Sequence, residues 1–261
     1  MRRPTIDGWR LRAPRHGPPT RAGRARAIAV VAALWTSNGH AAGGHFAVDD
    51  AAILDVGTCL IETWWERVDH AGSLLHLGPA CRVGPVELGV NCDRVQPRDG
   101  APQTPVSAQA KWVVAIDDRV SVGLAGLVAW QGSAPRYAAA NLYAPLTLRV
   151  ADALLLNLNV GRDWVRDVPT RWRVGASLEW QATPAWTIIG ERFRQYGGDF
   201  ARLGVRWQQS DSLSFDLSRA GGLSGSEIRT WTLGANWTFG APGANRREPS
   251  PEPLSPARMP Q

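Results

Sequence analysis

The residues able to do chemistry in this sequence are a few histidines, three cysteines and a long series of charged side chains at even spacing. Downstream of residue 42 the histidines are His45, His70 and His76. A Ser–His hydrolase needs a serine within hydrogen-bond reach of an imidazole and donors for an oxyanion. No Gly-x-Ser-x-Gly step and no Gly-rich phosphate loop occurs. Cys59, Cys81 and Cys92 come without a Cys-x-x-Cys step or a paired-histidine spacing, so zinc is not expected. The reading is of a protein that is not an enzyme, with no catalytic residue, no cofactor and no metal.

The charged residues are more informative, because they alternate with apolar ones. Glu62 and Glu66 oppose Cys59, Ile61, Thr63 and Trp65. Arg82 and His76 oppose Leu75, Leu77, Cys81 and Val83, while Glu87 and Asp93 oppose Val86, Leu88, Val90 and Cys92. Lys111 faces away from Trp112 and Val114. Arg171, Arg173 and Glu179 oppose Trp172, Val174 and Trp180, and Arg202 and Arg206 oppose Leu203, Val205 and Trp207. Arg192 stands in a mixed run and is grouped with them. A period of two is that of a β-strand with unlike faces.

The elements that must position these residues are strands of about ten residues. Twelve are expected, at 57–67, 73–83, 86–94, 106–116, 120–130, 137–149, 153–163, 171–181, 186–195, 200–208, 213–218 and 231–239. The segment at 137–149 is apolar on both faces. The fold class is all-β: a transmembrane antiparallel up-and-down barrel. Three arguments turn the apolar face outward, toward lipid. Alternate connections are short, as periplasmic turns are, while those at 95–105, 131–136, 164–170, 195–199 and 219–226 read as longer outer loops. Trp65, Trp130, Trp164 and Trp172 fall at one set of strand ends and Trp180, Trp186, Trp207 and Trp237 at the other, which is the pattern of two interfacial girdles. An Arg or Lys facing lipid at the midplane would cost about 2–4 kcal/mol, whereas a hydrated lumen avoids that cost.

The net charge is +6, but residues 1–42 hold eight Arg against one Asp, leaving 21 basic and 22 acidic residues for the rest. A nucleic-acid partner needs its basic footprint on the folded domain, so none is expected. Arg21, Arg24 and Arg26 precede an apolar run at 27–35, and small residues follow to Ala42. That order is a secretory signal peptide. The division expected is a leader at 1–42, a periplasmic segment at 43–56, the barrel at 57–239 and a disordered Pro-rich tail at 240–261.

The segment from Trp231 to Phe239, with alternating aromatics ending in Phe, resembles the closing strand of proteobacterial outer-membrane barrels of the porin and transporter kind. The resemblance implies an outer-membrane location, lipid as the surrounding partner and recognition by the barrel-assembly machinery. The outer-membrane phospholipase family sets its Ser and His on the lipid-facing wall, whereas His76 is expected inside. If Arg67 pairs with Ser73, Cys59 falls opposite Cys81, within disulfide range; otherwise all three cysteines are small apolar residues facing lipid. Glu62, Glu66, Arg82, Glu87, Asp93, Lys111, Arg171, Arg173, Glu179, Arg192, Arg202 and Arg206 are expected to line a lumen. Opposed rings of charge select ions and orient polar solutes. The expected function is a passive channel for small polar or charged solutes. A barrel with a filled lumen is the alternative, and a soluble periplasmic carrier follows if the apolar face points inward.

Overall fold

The computed structural model describes residues 44–131, 136–223 and 228–240. The expected leader at 1–42 and the expected tail, all but Gly240 of it, lie outside the described residues. Twelve strands form: β1 Thr58–Val68, β2 Gly72–Val83, β3 Val86–Pro97, β4 Pro105–Ala115, β5 Val120–Gln131, β6 Arg136–Ala151, β7 Leu154–Val165, β8 Val168–Thr183, β9 Trp186–Gln195, β10 Gly198–Ser210, β11 Leu213–Gly222 and β12 Arg229–Gly240. Each pairs antiparallel with its neighbour in sequence, and β1 pairs with β12, so the sheet closes on itself. Closure removes the free edges that an open sheet would expose. The segment at 137–149, apolar on both faces, is one of the two longest strands at 16 residues.

We call the rim where β1 begins and β12 ends the base. Its turns at 84–85, 152–153, 184–185 and 211–212 have two residues each, and the one at 116–119 has four. The opposite rim departs from the expected loop asymmetry. The connections at 166–167 and 196–197 are also two residues long, because the strands run further than their alternation suggested. Asp167 and Tyr196 take positive φ of 62° and 52° there, which such tight turns require. Longer connections remain at 98–104 and 223–228.

The wall is apolar outside. Leu75, Leu88, Leu124, Val160, Leu178, Leu203 and Leu233 are all exposed. Trp65, Trp164, Trp172 and Trp231 ring the opposite rim, and Trp112, Trp180, Trp186, Trp207 and Trp237 ring the base, all exposed. Trp186 stacks on Trp207, and Trp207 on Phe215. A closed barrel with a continuous apolar outer band between two aromatic girdles has the form of a membrane-spanning one. Inside, the buried residues are mainly polar or charged: Asn157, Asp163, Arg173, Glu179, Glu191, Asp216 and Thr232. No described helix is long and apolar enough to cross a membrane.

Candidate functional site

The interior is not vacant. Residues 44–54, expected to lie in the periplasm, run inside the lumen. From Leu54 back to Gly44 the segment passes one strand after another. Leu54 N–H donates to Glu87 on β3 at 3.0 Å, and Arg82 on β2 donates to the Leu54 carbonyl at 2.8 Å. Ala51 N–H reaches Thr147 on β6 at 2.7 Å. Asp49 N–H donates to Asn159 on β7, whose amide returns a bond to the Asp49 carbonyl. Val48 and Ala47 N–H groups donate to the Glu191 carboxylate on β9 at 2.8 and 3.2 Å. Arg202 on β10 donates to the His45 carbonyl. His45 Nε2 and Ser218 Oγ on β11 are 2.6 Å apart. Gly44 N–H donates to Glu62 on β1 at 2.6 Å. An irregular chain inside a sheet has unpaired N–H and C=O groups, and each buried one left bare would cost free energy. Here the wall's inward side chains take up six of the segment's N–H groups and three of its carbonyls.

Two side-chain clusters fix the segment further. Lys111 Nζ lies 2.8 Å from Asp49 and 3.0 Å from Asp50, and Tyr143 donates to Asp49 at 3.0 Å. Phe46 and Val48 then make a small apolar contact with β8 to β10. A Cβ on Gly175 would come 2.6 Å from Val48, and one on Gly204 would come 2.9 Å from Phe46. The two glycines therefore let the segment press against the wall. Phe193 is buried beside Gly175, and the Arg206 guanidinium lies 5.6 Å from the Phe46 ring. His45 belongs to the segment and not to a spanning strand. Burial, then Arg202, then Arg206 push its imidazole down to about 2, so the ring stays neutral.

The inward strand residues fall into three groups. Glu62, Glu87, Lys111, Arg82 and Arg202 touch the segment, as does Glu191, which was not singled out from sequence. Arg206 and Arg173 form ion pairs with Asp216 and Asp163, both at 2.7 Å. Glu179 accepts from Asn157 at 2.6 Å. Toward the opposite rim, Glu66 lies 3.9 Å from Arg202 and accepts from Thr232. Asp93 holds the His76 ring at 2.6 Å, and that ring stacks on Trp64. Arg171 is exposed at the same rim, opposite Asp163 in register.

Arg192 is a correction. It pairs with Ala176 and Ala201, whose strands turn Trp172, Leu178 and Leu203 outward, so Arg192 points out of the barrel. Its neighbours Glu191 and Phe193 take the inward positions. The cause is the inner segment: β9 turns Glu191 inward to accept from the Val48 and Ala47 N–H groups and Phe193 inward beside Gly175, where Val48 approaches, so Arg192 between them falls on the outer face. Cys59 and Cys81 are opposite each other in register and joined as a disulfide, with Cα atoms 4.0 Å apart. Cys92 is a free, exposed thiol. No group of metal-ligating side chains occurs among the described residues.

Solved structures share this architecture. The KdgM porin in complex with disordered oligogalacturonate superposes with a TM-score of 0.58 at 14% identity, over 69% of this chain and 99% of that one. The NanC porin gives 0.55 at 9% identity, over 68% and 98%. The COG4313 outer membrane channel from Pseudomonas putida F1 gives 0.52 at 9% identity, over 73% and 98%. At such identities the likeness concerns the fold. No curated protein matches the chain. A family model described as Uncharacterised conserved protein UCP029691 matches residues 30–239.

Proposed function

The chain belongs to that family over most of its length, and from this premise we propose that it is an outer-membrane barrel that conducts small polar or charged solutes through a lumen narrowed by its own N-terminal segment. One observation carries the reading. The inner wall holds an irregular segment of chain through polar and ionic contacts beside the small apolar contact at Phe46 and Val48, with Glu62, Glu87, Lys111, Glu191 and Arg202 as the anchors. A packed apolar core would not be built that way, since buried charge is costly without water or partners. A hydrated passage is. Lipid surrounds the apolar wall, the base faces the periplasm, and the barrel-assembly machinery inserts the protein. No reaction is catalysed and no cofactor is held.

A second reading has its own support. The Arg173–Asp163 and Arg206–Asp216 pairs are internal, and together with the segment they fill space. In that reading the barrel is a structural or interaction element without transport. Planar-bilayer recording separates the two. The full chain is expected to conduct weakly, and a variant lacking 44–54 to conduct several-fold more. Absence of conductance from both proteins, with insertion verified, would establish the filled-lumen reading.

A further inference from the structure

Four arginines lie on the outer wall, away from the lumen. Arg67, Arg192, Arg219 and Arg229 all lie near the rim opposite the base and are exposed. The register brings them together. Trp231 pairs with Arg67 on one side and Arg219 on the other. Arg229 pairs with Gly221, Gly221 with Ala201, and Ala201 with Arg192. The Arg219 guanidinium lies 5.1 Å over the Trp231 ring, which holds it at the girdle. None of the four forms an ion pair among the described residues.

A groove of ≈ 620 Å³ opens beside them, with Ala201 and Gly221 on its floor and Leu203, Val205 and Leu217 along it. A Cβ on Gly221 would meet nothing within 4 Å. The two small residues thus leave a slot beside Leu203, Leu217 and Trp231. The turns of both rims carry aspartates, Asp117, Asp118, Asp152 and Asp211 at the base and Asp69, Asp99 and Asp167 opposite, so the arginine cluster belongs to the strands and not to the turns.

Arginines on a lipid-facing wall that form no ion pair among the described residues call for a counter-charge, and at a headgroup level the membrane supplies it. The planar guanidinium fork matches phosphate oxygens bidentately. The slot below the cluster matches an acyl chain in width and chemistry. We propose that this groove binds a phosphorylated lipid of the outer leaflet, its phosphate on Arg67, Arg219 and Arg229 and one acyl chain over Ala201 and Gly221. The assignment to that leaflet rests on the reading that the base faces the periplasm.

Native mass spectrometry of the detergent-extracted, full-length barrel tests this, with diphosphoryl lipid A and the same lipid stripped of phosphate as probes. One diphosphoryl lipid per barrel is expected to stay bound, and the stripped lipid to bind at least tenfold more weakly. The triple variant R67Q/R219Q/R229Q should lose tenfold or more in retention. Gly221→Trp, which fills the slot and keeps the arginines, should lose a similar factor. Equal retention of the two lipids, unchanged retention in both variants, or a second barrel bound in place of lipid would overturn the proposal. Liposome insertion and conductance are measured on the same samples. A barrel that inserts and conducts but holds no lipid overturns this site alone. One that inserts and holds lipid without conducting overturns the channel reading alone. Failure to insert overturns both.

Discussion

Arg192 and Arg171 illustrate how much a single residue's facing decides. Arg171 is exposed at the inner side of the rim, and Arg192 is exposed on the outer wall. Arg171→Glu is expected to shift the cation-to-anion permeability ratio, and Arg192→Glu to leave it unchanged, as read from reversal potentials in a salt gradient. His45 makes a second prediction. Seated, its ring is neutral because its pKa is lowered from 6.5 to about 2. Released, it regains the usual value. Below that value the released segment binds a proton that the seated one refuses, so seating is fully favourable above it and weakens as pH falls. Conductance should therefore rise between about pH 7 and about pH 5. His45→Gln should remove the imidazole's share of that rise. The alternation of Glu62 and Glu66 against Ile61 and Trp65 could be read from the sequence because β1 has unlike faces. The inversion at Arg192 could not, since it depends on Phe46 and Val48 arriving from over a hundred residues away.

At the scale of elements, the twelve strands were legible from period-two alternation and turn residues, and the observed strands extend the expected ones by a few residues at most ends. The inner segment was not legible. It has no periodicity, and its partners are single inward side chains on nine different strands. Only the surplus of inward charge hinted that something had to be matched. Lys111 ties the segment most tightly, facing both Asp49 and Asp50. Lys111→Met leaves two carboxylates without their cation, and about 3 kcal/mol of seating free energy should be lost. Hydrogen exchange of the amides at 47–54 would report it as strongly accelerated opening. The first hairpin carries a different restraint, the Cys59–Cys81 bridge with a sequence separation of 22. Without reductant, maleimide should label Cys92 alone. Reduction should cost about 3 kcal/mol, measured by chemical unfolding.

For the whole molecule, closure through β1 and β12 makes one hydrogen-bonded wall with no edge. Such a barrel should resist detergent until heated, and unheated samples should migrate faster on a gel than boiled ones. A Pro at Thr63, which pairs with Ala235 across the seam, should remove that difference by breaking the closing ladder. The inner segment adds something to this architecture that concerns order in time. It precedes β1 in the chain, yet His45 meets Ser218 across 173 residues and Val48 meets Glu191 across 143. Contacts of such length form slowly, because the intervening chain must first be ordered. The segment emerges first and its last binding partners emerge nearly last. A chain truncated before β9 has no Glu191, Arg202 or Ser218 to receive the segment, so its amino-terminal portion is expected to be cleaved faster by proteases than that of the full chain.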